Sequence, residues 1–575
     1  MASTFGIFEA AKSGLNVSME NLKVTGHNIA NANTVGYTRQ RLITSAKEAG
    51  NSVCLIRPTR DNMVGQGVEV IDIQQIRSEY LDNQYRDLNA GYHRSEFTAQ
   101  SFTYLEGLFN SELKKGEGLT GSIEEFFGAL NTFTSDTTSK ENRIAVQKTA
   151  LGLTQNFNLV YEEMKALWID QNDSISTVAQ QINSLAVKLS ELNEAIARYE
   201  RRGETANDLR DERNLLLDEL SGYVNMTYCN SSTNSSMVDV QIGGVDLVVG
   251  TAANTIGIDC AADHIDALTA QMAEINGDIE DAVAMGGSAT AEQLTALSDL
   301  AAELNTYIAV TSSTNASGGT DVTCQGASLV SGSSTTAVSK ALENDLDAWM
   351  QVNSNTLTLN ATPLSIASGT ITGGKLYAHM EQISSNHSDH PGIPYYMGQL
   401  NELARSIARN INDIHLTGYS YDTDTSVANT TSENGLYFFH VETDVDIGGT
   451  VTAEHYSRIT AGNFSISNDI ADNVWNIAGS SEQVHSDGTT MASGNAEVAL
   501  LMYGDLAGSG YYSELNGIVG HLAIALDTNQ SLLDTGASLL NSVDTQRASI
   551  SGVSRDEEAA NLIIYQQSYN ACARM

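Results

Sequence analysis

The sequence predicts a multi-domain α+β protein with terminal coiled-coil helices, a long helical hairpin or bundle domain, and outer β-rich domains carrying an inserted helical module. Three observations lead there. Apolar residues near both ends recur at heptad spacing, residues 140–200 hold two long helical stripes, and from about residue 223 the apolar period changes to two. A chain of 575 residues, 41% of them hydrophobic, has material for about three or four such units.

At the N-terminus, Phe8, Leu15, Leu22 and Ile29 repeat every seven residues, with Ala11 and Met19 between them. This is the narrow stripe of a helix that packs on one partner helix. The plainer alternative is a helix docked on its own domain. Asn31, Asn33 and Gly36 tolerate the left-handed backbone that stops a helix. Residues 37–60 read as strand-like, Val68, Val70 and Ile73 as a strand or hairpin, and Ser78–Leu88 as the start of a helix. Gly65 and Gly67 do not make a phosphate loop, because the third glycine and a following helix are missing.

Val146, Ala150, Leu153, Phe157, Val160, Met164 and Leu167 keep 4-3 spacing, and so do Ile175, Val178, Ile182, Leu185, Leu189, Leu192, Ile196 and Tyr199. With the polar string D-Q-N-D between them, they predict an antiparallel hairpin of two helices, each about 38 Å long. A third helix carries Leu209–Ser221. Residues 237–250 alternate around Gly243-Gly244, a hairpin signal. Two amphipathic helices follow, on Ile265, Leu268, Met272, Ile275 and Ile279 and on Leu294, Leu297, Ala301, Leu304 and Ile308. Ser/Thr/Gly-rich sequence read as flexible or weakly structured strand completes the module. Short strands return in 341–395, a helix spans 398–415, and 416–495 reads as further strands and loops. A long helix starts near Leu515, breaks at S-G-V-S-R, and resumes with Asp556, Glu557 and Glu558 in its first turn. Leu562, Tyr565, Tyr569 and Cys572 form its stripe.

The expected units are then 1–60 with 540–575 as a terminal helical domain, and 61–222 with 396–415 and 496–539 as a helical rod domain. Residues 223–259 with 341–395 form a β-rich outer domain, 260–340 an inserted variable module, and 416–495 a second β-rich outer region.

Net charge is −40, with 36 acidic against 5 basic residues in 221–539 and near balance at both ends. An acidic body argues against nucleic acid or an anionic membrane as partner. Near-neutral ends with apolar stripes suit packing against further copies of the chain. No apolar run is long enough to span a bilayer. The start, with Glu9 where an apolar core should run, does not read as a signal peptide. Five scattered cysteines form neither a disulfide framework nor a zinc site, although Cys229 with Cys260, or Cys260 with Cys324, could pair.

H-N-I-A-N-A-N-T-V-G-Y-T-R-Q (27–40) resembles the N-terminal signature of the bacterial flagellar axial proteins, the rod, hook and hook-associated family. G-Q-G-V-E-V-I-D-I-Q-Q-I-R (65–77), the helix L-R-D-E-R-N-L-L-L-D-E-L-S (209–221) and the C-terminal S-G-V-S-R-D-E-E-A-A-N-L-I-I-Y-Q-Q-S-Y-N-A-C-A-R (551–574) resemble it in the same order. The second and third of these strings point to the hook-associated members at the hook–filament junction. The resemblance implies a structural protein that joins hook to filament and polymerises through paired terminal helices. It also implies further helical turns beyond Arg574. The implied partners are further copies of the chain, the hook protein, the second hook-associated protein and an export chaperone at the C-terminus. The implied location is the extracellular flagellum, reached through the flagellar type III apparatus. The alternatives are a hook or distal-rod protein, or a secreted adhesin or enzyme on a flagellar-type scaffold.

The residues expected to form the assembly interface are Phe8, Leu15, Leu22, Ile29, Asn28, Asn31, Tyr37, Arg39, Leu562, Tyr565 and Tyr569. Asn28 and Asn31 bond either a local turn or a neighbouring subunit, and Arg39 either pairs with a carboxylate across a subunit boundary or is solvated. No catalytic, cofactor or metal site is expected. His387, Asp389 and His390 lie close in sequence but have no fourth ligand nearby. Glu557 and Glu558 read as helix N-terminal charges rather than an acid/base pair.

Overall fold

The computed structural model describes residues 4–47, 67–112, 118–343, 345–421, 435–441, 453–482, 495–508 and 510–575. In chain order these give helix α1 (Thr4–Ala30), the hairpin β1 (Gln40–Ala46) and β2 (Val68–Gln75), and helices α2 (Glu79–Glu112), α3 (Gly118–Ser135), α4 (Lys140–Glu200) and α5 (Asn207–Tyr223). Next come β3 (Thr227–Asn230), β4 (Val238–Ile242), β5 (Val245–Val249), β6 (Ala252–Ala253), β7 (Ile256–Cys260), α6 (Ala261–Ala284) and α7 (Ala291–Tyr307). They are followed by β8 (Thr311–Thr314), β9 (Thr320–Cys324), β10 (Ala327–Ser331), β11 (Ser334–Thr335), α8 (Val338–Ala341), α9 (Leu346–Asn353), β12 (Asn355–Leu359) and β13 (Thr362–Leu364). The remainder holds α10 (Gly374–Ser384), β14 (Asn386–His387), β15 (His390–Pro391), α11 (Ile393–His415), α12 (Ala453–Ser457), α13 (Asn468–Asp472), α14 (Glu497–Gly508), α15 (Tyr511–Ser551) and α16 (Arg555–Arg574). This is the multi-domain α+β architecture read from the sequence.

The spine is α4, and it corrects one expectation. The predicted hairpin of two helices is a single helix of 61 residues, about 90 Å long. D-Q-N-D contains no Gly or Pro, so nothing in it forbids helical backbone. Its polar character serves a tertiary contact: the Asn172 Nδ2 donates to the Asn353 carbonyl at 3.0 Å, and its Oδ1 accepts from the Asn355 amide at 2.8 Å. The first predicted stripe is buried along this helix, where α3, α10 and α11 pack around it, and so is the second from Ile175 to Leu189 and at Ile196, whereas Leu192 is half-buried and Tyr199 exposed. Trp168 lies in that core, donating to the Ile383 carbonyl at 3.0 Å.

The Gly243-Gly244 hairpin forms as predicted, at the centre of the antiparallel sheet β3-β4-β5-β6. β7 pairs with β12 across the intervening module, in the order β13-β12-β7. The Ser/Thr/Gly-rich tail of that module is an ordered four-stranded sheet, β11-β10-β9-β8, with Val322, Cys324, Leu329 and Val330 buried. The expected second β-rich region differs too. Its described residues hold short helices and two isolated bridges, Tyr419 with Ser480 and Phe439 with Ile466. Buried Phe438, Phe439 and Phe464 anchor this stretch, and the Asn412 Oδ1 accepts from both Phe438 and Phe439 amides.

Two elements cross expected domain boundaries. β2 pairs with β1 while also bonding α5, and α15 runs through residues 539 and 540 without a break, packed along α2. The strand-like reading of 48–60, and Gly65 and Cys54, lie outside the described residues. Cys229, Cys260, Cys324 and Cys572 are all free, so neither suggested disulfide forms.

Candidate assembly site at the paired termini

α1 and α16 pack antiparallel: Gly14 meets Cys572 at one end, and Asn28 meets Glu558 at the other. A Cβ on Gly14 would stand 2.9 Å from the Cys572 Sγ, so the helices approach closely there. The buried residues of α1 are Ser18, Val24, Thr25 and Asn28, mostly small or polar. The predicted stripe flanks this seam. Leu15, Leu22, Ile29, Leu562, Tyr565 and Tyr569 are half-buried, and Phe8 is 68% exposed. Ile563 and Ile564, outside the predicted set, are each 56% exposed.

The end of α1 turns through hydrogen bonds from Asn31 N to the His27 carbonyl and from Thr34 N to the Asn31 carbonyl. Gly36 then takes a φ of 79°, open to glycine, with the Leu215 side chain against it. This brings Tyr37, Thr38, Arg39 and Gln40 back over the helix. Asn28 is the hub, 1% exposed. Its Nδ2 donates to the Gln40 carbonyl at 2.9 Å and to the Glu558 carboxylate at 3.2 Å, while its Oδ1 accepts from the Gln40 amide and the Tyr37 hydroxyl. All its polar capacity is satisfied within the chain. Asn31 bonds the local turn, its Nδ2 donating to the His27 carbonyl at 3.1 Å.

Arg39 is likewise engaged inside the chain. Its Nε donates to the Glu558 Oε1 at 2.8 Å and its Nη1 to Glu557 at 3.1 Å, while its amide donates to the Ser551 carbonyl just before α16. Of the two alternatives left open for Asn28, the local turn is the one seen, and Asn28 and Arg39 both also tie the two chain ends together through Glu558. Glu558, read from sequence as a helix-dipole charge, is a buried member of the same cluster. No local signal in the sequence marks it, because its partners come from the opposite end of the chain.

Below the turn, α5 supplies acceptors. The Asp211 carboxylate accepts from the Thr38 amide at 3.0 Å and from Gln75 Nε2 at 2.8 Å, and Asp208 accepts from Gln40 Nε2 at 3.0 Å. Burial pushes the Asp211 carboxyl up, opposed by the Thr38 bonds and Arg77. Burial, with Asp208, Asp211 and Glu558 nearby, pushes the Tyr37 phenol up. Further along, Asp218 accepts from Arg86 Nε at 2.7 Å and from Arg547 at 2.6 Å, and Arg547 also reaches Asp82 at 3.0 Å. This network ties α2, α5 and α15 together.

His387 and Asp389 stand 3.7 Å apart on an exposed turn, and among the described residues no group of three or more His, Cys, Asp or Glu side chains could hold a metal ion. Among the same residues no helix is long and apolar enough to cross a membrane.

A family model described as the flagellar hook-associated protein FlgK helical domain matches residues 102–262 and 257–428, and one described as flagella basal body rod protein matches residues 8–38. The chain is 25% identical over 593 residues to flagellar hook-associated protein 1 of Bacillus subtilis, covering 100% of this chain and 96% of that protein. It is 28% identical over 276 residues to the protein of the same name from Salmonella typhimurium, covering 47% of each, so the match spans about half of that relative. Among solved structures, the flagellar hook junction protein FlgK from Burkholderia pseudomallei matches with a TM-score of 0.37 and 17% identity, over 63% of this chain and 47% of that chain.

Proposed function

Since the chain belongs to the flagellar hook-associated protein family, we propose that it is a structural subunit of the bacterial flagellum, joining hook to filament and polymerising through its paired terminal helices. The carrying observation is the α1–α16 pair. It is locked at one end by Glu558 on Asn28 and Arg39, yet leaves Phe8, Ile563 and Ile564 in solvent. Apolar groups exposed on a held helix pair gain by burial against a neighbour, at roughly 25 cal/mol per Å².

In this reading Phe8, Leu15, Leu22, Ile29, Leu562, Tyr565 and Tyr569 face other copies. Asn31 and Tyr37 lie at the corner where the inner helices hand over to the body. The partners are further copies, the hook protein on one side and the second hook-associated protein on the other, with an export chaperone on α16 before assembly. The chain reaches the flagellum through the type III apparatus, and its role requires no catalysis. A hook or rod assignment is disfavoured because the helical-domain match spans 102–428.

Two measurements test the proposal. In electron micrographs of cells lacking this chain, hooks should be intact and filaments detached. The double variant Leu15→Asp with Leu22→Asp should be absent from isolated flagella while the purified chain keeps the circular dichroism of its helical body. Normal incorporation of that variant would overturn the role given to α1.

A further inference from the structure

The module between β7 and α9 is built like the one that precedes it. The string Glu219-Leu220-Ser221-Gly222-Tyr223-Val224-Asn225-Met226-Thr227 runs from α5 into β3. Glu303-Leu304-Asn305-Thr306-Tyr307-Ile308-Ala309-Val310-Thr311 runs from α7 into β8. Asp239, Val240, Gly244, Leu247, Val248 and Gly250 of the first hairpin have the same residue types at Asp321, Val322, Gly326, Leu329, Val330 and Gly332 of the second. α5 and α7 each have 17 residues, and each ends on an extended residue whose amide donates to the leucine four before it at 3.1 Å.

The tertiary hydrogen bonds repeat as well. On α4, Asn193 Nδ2 donates to the Val238 and Gly250 carbonyls at 2.8 and 2.7 Å, and its Oδ1 accepts from the Val238 amide. On α6, Asn276 Nδ2 donates to the Thr320 and Gly332 carbonyls at 2.7 and 2.9 Å, and its Oδ1 accepts from the Thr320 amide. The Asp239 carboxylate accepts from the Gly250 amide, and Asp321 from Gly332, both at 2.7 Å. Asn183 accepts from the Ile256 amide at 2.7 Å, and Asp266 from Val338 at 2.8 Å. Shared topology alone does not reproduce a set of side-chain bonds at matched positions.

The copies differ inside the module at Arg213, which bonds Asn193 and the Ser236 carbonyl where the second copy has Leu297, and in burial mainly along one side of α5. Arg213, Leu217 and Leu220 of α5 are buried, as are Leu297, Ala301 and Leu304 of α7. Asn207, Asp211, Ser221 and Gly222 are also buried, whereas their counterparts Ala291, Thr295, Asn305 and Thr306 are exposed. Each buried member touches α2 or the terminal hairpin. Asn207 Nδ2 donates to the Ile73 carbonyl and Asn89 Nδ2 to Ser221 Oγ, and a Cβ on Gly222 would stand 2.8 Å from the His93 ring. Asp218, which binds Arg86 and Arg547, has Ala302 as its counterpart.

We infer that residues 258–338 are a second copy of the module formed by residues 175–256, and that Asn207, Asp211, Asp218, Ser221 and Gly222 are docking residues that seat α2 and the terminal hairpin on the body. The residues common to both copies hold the module's own fold. Asn207, Asp211, Asp218, Ser221 and Gly222, which the second copy does not repeat, position the chain ends. The second copy enlarges the outer surface without creating a second seat for α2.

Segment-resolved hydrogen exchange on the full chain tests both halves. Asp211→Thr with Gly222→Thr places second-copy residues in the first. Exchange should rise about tenfold or more in 38–46, 68–75 and 79–95 and stay unchanged in 238–249. Loss of protection in 238–249 to the same degree, or no change anywhere, would overturn the docking assignment. Asn276→Ala should deprotect 320–331 and spare 238–249, and Asn193→Ala should do the reverse. If either variant strips both hairpins together, the two copies are not separate modules.

Discussion

Arg39 Nε donates to the Glu558 carboxylate at 2.8 Å, joining residues 519 positions apart in the chain. Glu558 is almost wholly buried and also accepts from Asn28, so it holds α16 to the turn that ends α1. Removing one member of a buried charge pair strands the other, at a cost of up to about 3–5 kcal/mol. Because Arg39 keeps 23% exposure, the lower part of that range applies. Glu558→Ala should therefore raise hydrogen exchange throughout 556–574 while α4 stays protected. Glu557→Ala, at a carboxylate 63% exposed, should change stability by less than about 1 kcal/mol. Equal effects of the two variants would show that Glu558 is not the tie.

Arg143 makes a second prediction. It is buried on α4 and donates through Nε and Nη2 to the Thr137 carbonyl at 3.0 and 2.7 Å, and through Nη1 to the Ile477 and Trp475 carbonyls. The faces of Phe133, Trp475 and Tyr421 lie 5.1, 5.5 and 5.6 Å from its guanidinium carbon. Burial lowers its pKa to about 10, which leaves it charged at neutral pH. Arg143→Leu should cost about 3 kcal/mol by stranding buried carbonyls. Arg143→Lys should not restore the loss, because one ammonium cannot serve that fork of acceptors. Trp475 fluorescence should shift toward that of a solvated indole in both variants, and a lysine variant of full stability would refute the fork argument.

The elements read correctly from sequence are those with a local cause. The heptad stripes gave the helices, Gly243-Gly244 the hairpin turn, and the acidic Asp556, Glu557 and Glu558 the first turn of α16. What the sequence concealed depends on distant partners. D-Q-N-D looks like a break until Asn353 and Asn355 are placed beside Asn172. The 311–335 sheet looks unstructured because its stabilising Asn276 lies on a preceding helix. A legible signal for that sheet did exist, in the repetition of the first hairpin's Asp-Val and Leu-Val pairs. Among the candidate site residues, Leu15, Leu22, Ile29, Leu562, Tyr565 and Tyr569 lie half-buried on the paired helices α1 and α16. The carboxylate that Asn28 and Arg39 share was not legible, because Glu558 arrives from the other end of the chain.

Asn172 tests the continuity of α4. Asn172→Ala removes the donor to the Asn353 carbonyl and the acceptor for the Asn355 amide, with an expected cost of about 1–3 kcal/mol. Because alanine favours helix, far-ultraviolet circular dichroism should not fall. Exchange should rise in 353–359, at the junction of α9 and β12. A fall in helicity centred on 165–180 would mean that this asparagine maintains the helix itself.

His415 makes the final prediction, a pH dependence with a defined sign. It lies wholly inside the protein, where its Nε2 accepts from the Ala478 amide at 2.8 Å and its Nδ1 donates to the Leu436 carbonyl at 2.7 Å. That pairing requires the neutral ring. Burial, with Arg143 nearby, lowers its pKa to about 4, below the 6.5 of a free imidazole. The folded state therefore binds the proton less readily than the unfolded chain. The stabilisation is complete above pH 6.5 and is lost as pH falls from 6.5 toward 4, reaching on the order of 3 kcal/mol. His379, lowered to about 4 by burial and Lys375, adds a step of the same sign. Urea unfolding at several pH values should show stability falling with acid across this window. His415→Gln should be less stable at pH 7 but should fall less steeply between pH 6.5 and 4, by as much as about 1.4 kcal/mol per pH unit. An unchanged slope would mean that His415 does not titrate on unfolding.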